Sequence, residues 1–157
     1  MADSNGFLTF LGQALTVGAG WFVVHKLTAA RDLDKGRREL LVKSCSEQIS
    51  QTNELVLMAV KYHTTERDQE IETRIKMLMQ DLATAVGTLL ALSNNSPFAK
   101  NAFNRVAPLR QAISRQHFED EHISSLKPNS ELLQQIVADG LALKQALIGL
   151  KNAQFQG

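Results

Sequence analysis

Hydrophobic and polar positions follow two different patterns along this chain. Residues 7–25, FLTFLGQALTVGAGWFVVH, carry no fixed charge. From Val42 onward the apolar positions recur every three or four residues, the repeat of helices that bury one side. No segment alternates with the two-residue period of a strand. The pattern predicts an all-α protein in which an N-terminal transmembrane helix continues into an antiparallel cytoplasmic four-helix bundle. The expected divisions are a tail at 1–6, a span at 7–25, a bundle domain at 26–154 and a C-terminal tail at 155–157.

A nineteen-residue helix nearly matches a hydrocarbon core of ~30 Å at ~1.5 Å per residue. Its strongly apolar residues each favour insertion by roughly 0.3 to 0.6 kcal/mol near the helix centre. Gln13, two threonines and three glycines oppose them, so the net preference for lipid is modest. Gly12, Thr16 and Gly20 share one helix face and permit close approach of a second span, across which Gln13 can hydrogen-bond. Secretory signal peptides open on a positive segment, whereas this chain opens on MADSNG, with one acid and no base. Beyond the span, Lys26, Arg31, Lys35, Arg37, Arg38 and Lys43 follow closely, and Trp21 sits near that boundary. The positive-inside bias then puts the N-terminus out and the rest in the cytoplasm. A buried core helix, or a secreted bundle released by cleavage near Val17, are the competing readings of the same stretch.

Helix formers continue without proline from residue 26, so one helix should leave the bilayer, weakened locally at Gly36 and decorated by pairs such as Asp34 with Arg38. Val42, Cys45, Ile49, Thr52, Val56 and Ala59 mark its packing face, and it should end near residues 62–65, with Thr64 and Thr65 as caps for the next helix. Ile71, Ile75, Leu78, Leu82, Ala85, Leu89 and Leu92 give the second helix its seam, with Met77 and Met79 as core fillers. Ser93-Asn94-Asn95-Ser96-Pro97 ends it. Phe98, Ala102 and Val106 face one way and Leu109, Ala112 and Ile113 follow Pro108, so the third helix is expected to break or kink there. Ser130 should cap the last helix, whose seam runs through Leu133, Ile136, Gly140, Leu143, Leu147 and Leu150, with Gly140 allowing close helix approach.

Composition narrows the chemistry. In 157 residues, 17 Lys+Arg balance 16 Asp+Glu, which gives no global electrostatic case for nucleic acid. Lys100, Arg105, Arg110 and Arg115 spiral around their helix and form no basic stripe. Cys45 is the only cysteine, so no intrachain disulfide or thiolate-rich metal site is available, and as a small buried hydrophobe it suits a reducing compartment. His117, Glu119, Glu121 and His122 are the one candidate metal cluster, with the Glu-x-x-His spacing of di-iron bundles. Such a site needs two of these pairs and two more inward glutamates, and only one pair exists, which favours a solvated polar patch. No nucleophile elbow, zinc-protease helix, phosphate loop or dinucleotide loop occurs. The expectation is no catalytic residue, no cofactor, no metal and no small-molecule substrate.

Trp21-x-Val-Val-x-x-Leu27, followed by Ala30-Arg31-Asp32 and Arg37-Arg38-Glu39-Leu40, resembles small bacterial single-pass inner-membrane proteins in which a short span passes into a helical cytoplasmic domain. The resemblance covers about residues 20–45 and implies an inner-membrane setting without implying an activity. The function expected is a non-enzymatic scaffold, regulator or small effector acting at the bilayer through a protein partner or homo-oligomer. A metal-binding or enzymatic bundle built on residues 117–122 is the alternative.

Overall fold

The computed structural model describes residues 4–115, 118–119 and 125–155, with side chains described at Thr28 and from Arg31 onward. Among these residues all regular structure is helical: α1 Ser4–Thr64, α2 Gln69–Leu92, α3 Pro97–Ile113 and α4 Glu131–Ala153. The chain divides into two compact units, Met1–Glu39 and Leu40–Gly157. In the first, α1 is the only element, its single helix running through 7–25 as the sequence predicts. The side-chain expectations at Gly12, Gln13, Thr16, Gly20, Trp21 and Lys26 lie outside the described residues. Arg31, Lys35 and Arg38 are exposed and Arg37 is half-buried. Lys35 pairs with Glu39 at 3.9 Å on a solvated face.

The second unit is a helical bundle. Burial begins at Leu41 and follows an unbroken four-three line through Cys45, Gln48, Thr52, Leu55, Ala59 and Tyr62. Cys45, Thr52 and Ala59 are buried as predicted, whereas Val42, Ile49 and Val56 are half-buried and their places on the line are taken by Leu41, Gln48 and Leu55. The line that wins carries Leu41, Leu55 and Tyr62, the larger apolar surfaces, and tolerates Thr52 because its hydroxyl donates to the Gln48 carbonyl at 2.7 Å. Val56 is displaced to the flank, where it meets α4.

Thr64 and Thr65 close α1 and do not open α2. Their hydroxyls donate back to the Val60 and Lys61 carbonyls at 2.9 and 2.8 Å, beside the closing backbone bond from the Thr65 amide to the Lys61 carbonyl at 3.1 Å. Asp68 caps α2 instead, accepting from the amides of Glu70 and Ile71. Along α2, Ile75, Leu78, Met79, Leu82, Val86 and Leu89 are buried. Met79 fills the core as expected, but Met77 points outward at 56% exposure, because its position falls on the far side of the buried line. Ile71, Ala85 and Leu92 sit half-buried at the margins. Among the described side chains, α2 is the one helix long and apolar enough to cross a membrane, with a third of its most apolar window buried inside the structure.

Asn94 and Asn95 adopt left-handed φ values of 52° and 56°, which asparagine tolerates better than most residues, and the Asn95 amide closes onto the Leu90 carbonyl at 3.0 Å. Ser96 then caps α3, with Pro97 in its first turn. Contrary to the expected break, α3 runs unbroken through Pro108. Pro108 and Asn104, whose carbonyl loses its donor there, are both exposed, so water can replace the missing bond. Ala99, Ala102, Val106, Leu109, Ala112 and Ile113 form one continuous buried line that outweighs the local cost, and Phe98 is left half in solvent.

Every predicted seam residue of α4 is buried. Ser130 occupies the cap position, yet its side chain makes no capping bond and its Oγ is buried without a partner. Gly140 is where α4 touches α1: a Cβ there would overlap Cγ2 of Val56.

Candidate functional site

The chemistry-bearing side chains that meet in the bundle gather where α1 ends and α2 begins. Glu72 lies on the buried side of the first turns of α2, 7% exposed, and is the one carboxylate among the buried described residues. The 65–68 turn returns Arg67 over it, so Nε and a terminal nitrogen donate to Oε2 at 3.2 and 3.1 Å. One helical turn later Lys76 donates to Oε1 at 2.8 Å. Tyr62, fully buried on α1, donates its hydroxyl to Oε2 at a long 3.4 Å and accepts the Glu119 amide at 3.3 Å. Lys76 also pairs with the Glu119 carboxylate and stands 5.8 Å from the centre of the Phe118 ring. Phe118 in turn packs on Tyr62 with ring centres 5.2 Å apart.

His63 extends the cluster inward. Its ring meets Tyr62 edge-on at 5.3 Å, and Nε2 lies 3.1 Å from the Ile113 carbonyl. A carbonyl can only accept, so Nε2 carries the proton in this arrangement. The His63 carbonyl receives the Leu126 amide at 2.8 Å. The end of α1 thus fastens the C-terminus of α3 and the approach to α4. Glu119 reaches its two contacts from a left-handed φ of 71°, a strained conformation for a residue with a side chain, typically costing about 1 to 2 kcal/mol.

Two cations and two carboxylates cancel within this cluster. The hydrogen bond from Lys76, with Arg67 behind it, holds the Glu72 carboxyl below its ordinary range even though burial pushes the other way. Bonds to Glu119 and Glu72 hold the Lys76 ammonium above its ordinary range. A carboxylate so depressed is a weak base at neutral pH, and an ammonium so raised is a poor nucleophile. The arrangement therefore pins three chain segments together and is not poised for proton transfer.

Of the candidate metal residues weighed from the sequence, Glu119 is the one described, and it is engaged by Lys76; His117, Glu121 and His122 lie outside the described residues. Among the described residues no group of three His, Cys, Asp or Glu side chains converges as a metal would require. The sequence reading missed Glu72 as a site residue. Its signal was legible: it stands one turn before Ile75 and two before Met79 on the buried line, with a base four residues after it and another five before.

A second feature is open. Between the end of α1 and the start of α2, Met58, Ile71 and Met77 floor a groove of about 690 Å³, edged by Lys61, Arg74, Asp68 and Glu70. Arg74 bridges to Glu54 at 3.0 Å across one side of it. Comparison with protein-family models, with curated proteins and with solved structures gives no match.

Proposed function

We propose that this chain is a membrane-anchored, non-enzymatic interaction module: residues 7–25 span a bacterial inner membrane with the N-terminus outside, and the bundle works in the cytoplasm through protein contacts. The observation that carries the reading is the contrast between the bundle's interior and its exterior. Inside, the ionised groups neutralise one another at Glu72. Outside, Leu57, Met77, Phe98 and Leu141, one on each helix, are each about half exposed or more, apolar surface that a protein contact would cover. The anchor is supported by the uncharged nineteen-residue stretch on the continuous backbone of α1 and by the bases that follow it.

An antiparallel arrangement of α1 and α4 belongs to the same reading. Val56 lies against Gly140, and the charge of Lys151 is felt at Cys45, so numbers rise along one helix as they fall along the other. The reading is tested by carbonate extraction of the full chain from bacterial membranes, with protease added to intact spheroplasts. Retention in the pellet, with an N-terminal tag cleaved and a C-terminal tag protected, is the expected result. Release into the supernatant, or the opposite protection pattern, overturns it.

A further inference from the structure

The outer side of α4 carries a second heptad pattern that the core does not use. Gln134, Ala138, Leu141, Gln145, Ile148 and Asn152 alternate by four and three along the helix, Phe155 continues the spacing just past its end, and all seven are exposed. None is charged. Over the same stretch the three charged residues, Asp139, Lys144 and Lys151, are half-buried, so every exposed position from 134 to 155 is neutral. Ordinary solvent-facing helices carry a quarter or more of charged residues, so this face departs from a solvated one. Leu141 is 51% exposed, Ile148 40% and Phe155 72%.

We infer that this seam pairs with the same seam of a second copy of the chain, α4 against α4 and parallel, as a short two-stranded coiled coil. Three observations choose that occupant. An uncharged stripe presents no like charges to itself, so a twofold contact meets no electrostatic opposition. The residues flanking the seam differ by side: Val137, Lys144 and Lys151 on one, Gln135, Ala142 and Gly149 on the other. In a parallel pair each flank faces the opposite flank of its partner, so the lysines meet neutral residues; an antiparallel pair would set lysine against lysine. The inner positions Ala138, Gln145 and Asn152 then face their own counterparts, and a polar residue at such a position, asparagine above all, fixes register in parallel dimers. Phe98 of α3, packed over Gly149, adds apolar surface beside the seam.

Three heptads with polar residues at the seam make a weak coil alone. Two chains held in one bilayer meet at high effective concentration, which is where this inference rests on the anchored reading above.

The test is cysteine crosslinking of the full chain in membrane vesicles, with the wild type, whose single thiol Cys45 is buried, as control. Asn152→Cys and Gln145→Cys should each give a disulfide-linked dimer under mild oxidation, at least tenfold above Lys100→Cys on α3. Adding Leu141→Glu, or the near-isosteric Gln145→Glu, to Asn152→Cys should abolish the dimer while the helical circular dichroism and melting midpoint stay unchanged. No dimer at 145 and 152, equal yield at 100, or survival of the dimer with Gln145→Glu overturns the pairing. So does a Leu141→Cys thiol shielded from aqueous maleimide without any dimer, which assigns the face to lipid. Carbonate extraction of the same vesicles reports on the anchor separately.

Discussion

Glycines show how far single residues decide this fold. Gly140 has Val56 pressed against the space its side chain would fill, and valine is stiff about its first torsion, so neither partner can yield cheaply. Gly140→Ala should lower stability by about 1 to 3 kcal/mol through overpacking. Gly87 and Gly149 sit under Phe103 and Phe98, where a methyl group would meet the rings at ordinary contact distances of 3.9 and 3.7 Å. Gly87→Ala and Gly149→Ala should therefore gain up to ~1 kcal/mol from helix propensity alone. Urea denaturation of the three variants checks both signs. The seam position of Gly140 was readable from spacing; that Gly87 and Gly149 are spare was not, since it depends on which phenylalanines lie across them.

Elements follow the sequence closely where buried lines are long and regular. The seam of α4, the end of α1 at Thr64 and the turn at 93–97 all correspond to patterns in the residues themselves. Where the reading failed, a local rule met a tertiary competitor. Threonines that look like caps for α2 are taken by the carbonyls of α1, and Asp68, with two amides in reach, does the capping. Proline at 108 reads as a break, but the buried face on both sides of it is continuous and the lost bond faces water. Pro108→Ala restores an amide to the Asn104 carbonyl. Removing the cost of an interior proline, offset in part by a freer unfolded chain, should raise stability by about 1 to 2 kcal/mol, seen as a higher thermal midpoint.

For the bundle unit, the buried carboxylate cluster sets a pH window. Glu72 ionises in the folded chain below its ordinary value of 4.5, so its contribution is complete above that pH and is lost as pH falls through the folded value. Lys76 is held above its ordinary 10.5, so its share is complete below that and is lost as pH rises further. Glu72→Gln should cost about 1 to 3 kcal/mol at neutral pH, the range for hydrogen bonds to charged groups. Measured by urea midpoints, the gap between variant and wild type should close as pH drops below about 4.5. The spacing of Arg67, Glu72 and Lys76 was legible in the chain, but Tyr62 and Glu119 join them only once the helices have packed.

Sealed inside the bundle, the chain's one thiol, that of Cys45, is pushed up to about 11 by burial, with Lys151 pulling the other way. Thiolates, and not thiols, attack alkylating dyes. The folded molecule is thereby equipped with a silent chemical clock: under an excess of such a dye at neutral pH, colour accumulates only as fast as the helices part, and opening frequencies can be timed without grafting a probe.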